Sequence, residues 1–96
     1  MAELNLKEKT QNVTQEFELV TVAKDVEIKF RKDVIAGKRR FSGVAVQNGK
    51  EIGRATWSDD SNHMIVNVTE INTLGDAKAL EVTDTLYRGV LQMLNA

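Results

Sequence analysis

The chain has 96 residues, 42% of them hydrophobic and 28% charged, with a formal net charge of −1, no cysteine, no proline and one histidine. That length supports one domain with a single modest core. Without cysteine there is no disulfide framework or thiolate site, and one histidine cannot build a structural zinc centre. No segment approaches the roughly 18 apolar residues of a membrane span, and the start MAELNLKEKTQ lacks the basic-then-apolar order of a secretory leader. A cytoplasmic protein with no membrane role, cofactor or metal is therefore expected. The Asn-x-Thr triplets at Asn12 and Asn67 matter only in secreted chains and carry no weight here.

Charge is distributed unevenly. Residues 1–23 are net −2, residues 24–54 net +5 and residues 55–96 net −4. The middle third is thus cationic within a nearly neutral chain, a polarity that bears on partners rather than on fold.

Residues 1–15 are polar apart from Leu4, Leu6 and Val13, and read as a short mobile arm ahead of a single domain over residues 16–96. From Phe17 the pattern turns strand-like: Val20, Val22, Val26, Ile28 and Phe30 share one parity, interrupted only at Lys24. Ala23-Lys24-Asp25 contains no glycine or asparagine, so one long bent strand is expected there rather than two short ones. Lys32–Arg40 reverses the chain at Gly37, with Val34 and Ile35 expected to tuck beneath the turn.

Phe41–Trp57 is the clearest signal in the chain. Asn48-Gly49 between two runs of β-type residues predicts a hairpin with a two-residue type I′ loop, whose residues both need positive φ. An uninterrupted ladder from that loop pairs Val46 with Glu51, Ala45 with Ile52, Val44 with Gly53, Gly43 with Arg54 and Phe41 with Thr56. Val44, Val46, Ala55 and Trp57 then share one face, and Phe41, Ala45 and Ile52 share the other with Arg54 and Thr56. Both faces are partly apolar, which predicts that a partner or the N-terminal segment covers the second one. SDDSN (58–62) reads as a turn, and Met64–Ile71 as a fourth strand with Met64, Val66 and Val68 on one parity.

A helix is predicted from about Leu74 to Leu94, with Thr73 and Asp76 at capping-box spacing. Ala79, Val82, Leu86, Val90 and Met93 form its central stripe, and Leu80, Tyr87, Leu91 and Leu94 widen the apolar arc to about half the circumference. One packing contact needs only a stripe of roughly 100°. The excess arc predicts a homo-oligomer, a dimer of C2 symmetry with Leu80, Tyr87, Leu91 and Leu94 at its interface.

Ser58, Asp59, Asp60, Ser61 and His63 have the residue types of a triad or a metal loop but not the arrangement. Neighbours in one polar loop diverge, and no EF-hand spacing is present. With no glycine-rich phosphate loop, Gly-x-Ser-x-Gly or His-Glu-x-x-His either, an enzyme is not expected. The cationic set Lys29, Arg31, Lys32, Lys38, Arg39, Arg40 and Arg54 has a plausible chemistry, since cations along a sheet can neutralise successive phosphates while Phe41 or Trp57 stacks on unpaired bases. The competing use of such charges is to line a solvated sheet edge and block edge-to-edge aggregation.

The sequence thus predicts an α+β domain, a four-stranded antiparallel sheet with one long C-terminal helix packed on it (ββββα). It predicts a small non-enzymatic binding protein that takes nucleic acid, single-stranded in preference, on a basic hairpin surface. The alternative is a protein-interaction, inhibitor or accessory module of phage or mobile-element type, with no nucleic-acid role.

Overall fold

Three tight reversals fold the chain into an antiparallel meander, and each carries a pair of residues at positive φ. Asn48-Gly49 has φ of 51° and 78°, Ala36-Gly37 has 53° and 79°, and Ala23-Lys24 has 50° and 73°. The first pair bears out the type I′ loop read from the sequence. The last breaks the long strand expected over Phe17–Phe30: Ala23 and Lys24 accept the left-handed region without glycine, and the Asp25 amide closes the loop on the Ala23 carbonyl at 2.9 Å.

The computed structural model describes residues 13–96. Its strands are β1 (Val13–Glu16), β2 (Val20–Val22), β3 (Val26–Ile35), β4 (Lys38–Gln47), β5 (Lys50–Ser58) and β6 (Ile65–Val68), followed by helices α1 (Ile71–Leu74) and α2 (Asp76–Leu94). The class is α+β, with a six-stranded sheet in place of the expected four strands, ordered β1-β3-β4-β5-β6. β2 lies beside β3 on the same side as β1. β1 pairs with Arg31–Val34 and β2 with Val26–Ile28, so the two form one interrupted edge. Across the interruption the Phe17 amide donates to the Phe30 carbonyl at 3.2 Å.

Of the arm expected over residues 1–15, residues 1–12 lie outside the described residues, while Val13, Thr14 and Gln15 pair with Val34, Asp33 and Lys32. Ile35 does not tuck beneath its turn: it sits at the end of β3, exposed, on the face opposite the helix.

The hairpin register departs from an uninterrupted ladder after two pairs, the first being Gln47 with Lys50. Val46 faces Glu51 as expected, but Ala45 then faces Gly53, leaving Ile52 as the extra residue of a β-bulge. Every later pair shifts: Val44 faces Arg54, Gly43 faces Ala55, Ser42 faces Thr56 and Phe41 faces Trp57. The two mixed faces predicted for the hairpin are thereby sorted. Phe41, Ala45, Ile52, Ala55 and Trp57 are all buried on the helix side, while Val44, Val46, Arg54 and Thr56 lie on the other. The open side of the hairpin keeps Val44 and Val46, with Ile65 of β6 58% exposed on the same face, and no other described element packs over them.

α2 lies on the sorted face. Ala79, Val82, Leu86, Val90 and Met93 are its buried residues, as the stripe predicts. The capping box does not form: Gly75, at φ 85° and ψ 155°, separates α1 from α2, no side chain caps either helix, and Thr73 lies within α1. Helix and sheet meet tightly at Phe30. Its ring occupies a slot between two glycines, so that a Cβ on Gly89 would lie 2.1 Å from Phe30 Cζ and one on Gly43 2.7 Å from Phe30 Cε1. Glycine on both walls lets an aromatic ring stand where a helix and a strand would otherwise touch.

Candidate anion-binding face

The face of the sheet away from α2 has no element packed on it among the described residues. Strand alternation puts Lys29, Arg31 and Asp33 of β3, Arg40, Ser42 and Val44 of β4, Arg54, Thr56 and Ser58 of β5, and Ile65 and Asn67 of β6 on this side. Arg31 pairs across to Ser42 and on to Thr56 and Ile65. One step along, Asp33 pairs with Arg40 and Ser58, and on the other side Lys29 pairs with Val44, Arg54 and Asn67. A shallow concavity of about 500 Å³ opens among these rows. Arg31, Arg40 and Arg54 line it, with the hydroxyls of Ser42, Thr56, Ser58 and Ser61, the ring of His63, and Asp33 as its one carboxylate.

Its electrostatics follow from who holds whom. Arg31 Nε donates to Asp33 Oδ1 at 3.0 Å, and Thr14 Oγ1 donates to the same oxygen at 2.8 Å. Those contacts, Thr14 first, hold the Asp33 carboxyl below its ordinary value, with the positive field of Arg40 adding to them. Arg54 is bound by Glu51 at 2.7 Å, which lowers the glutamate and raises the arginine. Arg40 makes no ion pair among the described residues. The hollow is therefore cationic, with one uncommitted guanidinium and two held in exposed pairs of the kind that contribute little to stability and exchange partners at little cost. Guanidinium forks flanked by hydroxyl donors suit the oxygens of phosphate or carboxylate.

The seven cations singled out in the sequence do not form one surface. Lys29, Arg31, Arg40 and Arg54 share the open face; Lys29 lies 3.8 Å from Glu16. Lys38 sits at the start of β4, tied to Asp60. Lys32 pairs with Phe41 and so points to the helix side, into a groove with Gln15, Phe17 and Met93.

Arg39 also turns to the helix side, where its guanidinium lies 5.8 Å from the Phe41 ring centre and 5.4 Å from that of Trp57. Asp59 grips it there, accepting from the Arg39 backbone N–H at 2.7 Å and from Nη2 at 3.0 Å. These bonds hold the Asp59 carboxyl below its ordinary value. The Lys38-Arg39-Arg40 run is thus divided by strand alternation between two faces.

The aromatic residues proposed for stacking are in the core. Phe41 is fully buried and Trp57 is 6% exposed, the two rings stacked at 5.3 Å. The acidic loop 58–63 serves the hairpin: Asp59 and Asp60 hold Arg39 and Lys38, and the Ser58 and Ser61 hydroxyls lie 3.0 Å apart. Four hydroxyls and His63 join the site without having been foreseen. Thr56 and Ser58 share this face with Ser42 only because of the bulge, which no single residue in the sequence announces. Neither family models, curated proteins nor solved structures give a match to this chain.

Proposed function

We propose that this chain is a non-enzymatic binding protein whose open sheet face takes the phosphate backbone of a nucleic acid, and that it works as a homodimer joined along the α2 flank that carries Leu80, Tyr87, Leu91 and Leu94. The observation that carries the binding reading is the hollow itself: three arginines and four hydroxyls around about 500 Å³, with a single carboxylate among them. Such donors contact sugar and phosphate rather than base edges, so they position a strand without reading its sequence. With Phe41 and Trp57 in the core, the preference for single strands no longer has a stacking platform behind it, and the reading rests on backbone contacts alone. Support for the dimer comes from the flank, where Leu80 is 70% and Tyr87 47% exposed. No helix among the described residues is long and apolar enough to cross a membrane.

Fluorescence-anisotropy titration of labelled single-stranded and duplex oligonucleotides, at low and moderate salt, tests the reading. The substitutions Arg31→Ala, Arg40→Ala and Arg54→Ala together should lower both affinity and salt dependence, each lost phosphate contact reducing the log–log slope by about 0.7–0.9. Unchanged binding in that triple variant would refute the assignment, as would no binding at low salt.

A second reading, a protein-interaction module, is favoured by the groove beside the broken edge, about 300 Å³ and lined by Phe17, Val20, Phe30 and Met93. A partner seated there would bind with little dependence on salt, the opposite of a phosphate ligand.

A further inference from the structure

We infer that a second copy of this chain joins edge to edge along β6, about a twofold axis passing by Asn67 and Tyr87, so that the two open faces become one continuous phosphate-binding surface. Its last clause rests on the binding role proposed above; the mode of joining does not.

The backbone supplies the first reason. β6 ends the sheet, and the Thr69 amide donates inward to the Ile52 carbonyl at 2.8 Å. Successive residues of a strand turn their backbone groups to opposite sides, so Val68 and Val66 direct N–H and C=O away from β5. An antiparallel copy centred on Asn67 sets Val66 of each chain against Val68 of the other. Both are outward-facing residues, which is the arrangement that exchanges two hydrogen bonds per pair. The opposite edge offers no such template, being interrupted between Glu16 and Val20.

The helix supplies the second reason, independently. Leu80, Tyr87 and Leu94 are spaced seven apart on one flank of α2, so an antiparallel copy centred on Tyr87 brings Leu80 of each chain level with Leu94 of the other. The flank faces the β6 side: Gly89 meets Phe30 of β3, and Leu86 meets Gly43 of β4 and Gly53 of β5, so the rotation from Gly89 through Leu86 to Tyr87 runs across the sheet toward β6.

The two centres lie at one level. A Cβ on Gly53 would be 3.2 Å from Leu86 Cδ1, 3.3 Å from the Asn67 carbonyl oxygen and 3.4 Å from Val68 Cγ2. Leu86 therefore stands over Gly53 at the level of the Asn67–Val68 step beside it, and Tyr87 follows on the β6 side. One axis satisfies both self-complementary patterns, as an isologous interface requires. Because Ile65 and His63 line the hollow from the β6 side, the join places the two hollows on a single uninterrupted face.

Sedimentation equilibrium and cysteine trapping test this. The native chain has no cysteine, and Asn67→Cys at the axis puts two Cα atoms about 4.5 Å apart, within disulfide reach. The expected result is a mass of twice 10.7 kDa for the wild type, near-complete disulfide dimer for Asn67→Cys under mild oxidation, and none for Thr21→Cys on the opposite edge. Tyr87→Glu should be folded and monomeric, binding a short oligonucleotide as before but a long one at least ~10-fold more weakly through lost bivalency.

A single-chain mass at the highest soluble concentration would overturn the inference, as would trapping through Thr21→Cys and not Asn67→Cys. A trapped dimer that binds no oligonucleotide at low salt would uphold the joining and remove the proposed function instead.

Discussion

Gly89→Ala sets two well-known effects of opposite sign against each other. Alanine favours the helix over glycine by about 1 kcal/mol in a helix interior, and Gly89 lies well inside α2. Against that, the new methyl would stand 2.1 Å, 2.2 Å and 2.8 Å from three atoms of the Phe30 ring. Ordinary contact begins near 3.5 Å, so the ring must move by more than an ångström, and Gly43, where a Cβ would lie 2.7 Å from the ring, closes its other side. The free space is the groove on the Phe17 side, and swinging into it exposes ring surface that is now 6% accessible.

Overpacking costs ~1–3 kcal/mol, and a ring displaced by more than an ångström between two walls belongs in the upper half of that range, so after the ~1 kcal/mol of helix preference the net expectation is a loss of about 1–2 kcal/mol. Urea denaturation should show a lower midpoint with an unchanged slope. Phe30→Leu together with Gly89→Ala should cost clearly less than the two single changes added, because the shorter side chain vacates the contested space. A Gly89→Ala protein more stable than wild type by the full helix preference would show that Phe30 does not occupy the slot.

Removing the Arg39 guanidinium with Arg39→Ala uncovers Phe41 and Trp57 and should red-shift the emission of Trp57, the only tryptophan, leaving oligonucleotide affinity intact because Arg39 lies on the helix side. Asp25, Asp33, Asp59, Glu51 and Glu70 are all held below their ordinary values of 3.8 and 4.5 by ion pairs and hydrogen bonds. Their contribution is fully present above about pH 5 and is lost as pH falls through those values toward the lower native ones. The urea midpoint should accordingly be flat from pH 8 to 5 and drop steadily below, and a midpoint that rises on acidification would contradict these contacts. At the Ala36-Gly37 turn, Ala36→Asn should stabilise by about 0.5–1 kcal/mol, since asparagine tolerates φ near 53° better than alanine, as a higher thermal midpoint would report.

The same turn chemistry explains how much of the fold was legible. Where a residue type matched its conformation, at Asn48-Gly49 and along the Ala79–Met93 stripe, position and role were both readable. At Ala23-Lys24 they were not. A lysine and an alanine adopt positive φ there at a local cost of roughly 1–2 kcal/mol each, imposed by the pairing of β2 with β3. Propensity argued against a turn and the ladder overrode it, so two strands looked like one. At the helix start, Thr73 and Asp76 had capping-box spacing, but Gly75 between them at φ 85° takes the chain out of the helix.

The candidate site was less legible because it depends on one residue that pairs with nothing. Had β4 and β5 run without a bulge, Arg54 and Thr56 would share a face with Phe41 and Ala45. Either the arginine would be buried under α2 or the aromatic exposed to water, each unfavourable. Displacing Ile52 from the ladder keeps Ala45, Ile52 and Gly53 together on the buried side. It turns Arg54 outward, where a cross-strand register with Val44 and a shared hollow with Arg31 and Arg40 become available. The bulge is thus demanded by the core, and the arginine hollow is its consequence on the opposite face. A sequence reader who lets the apolar pattern choose the register, rather than carrying the turn's register through to the strand ends, arrives at both.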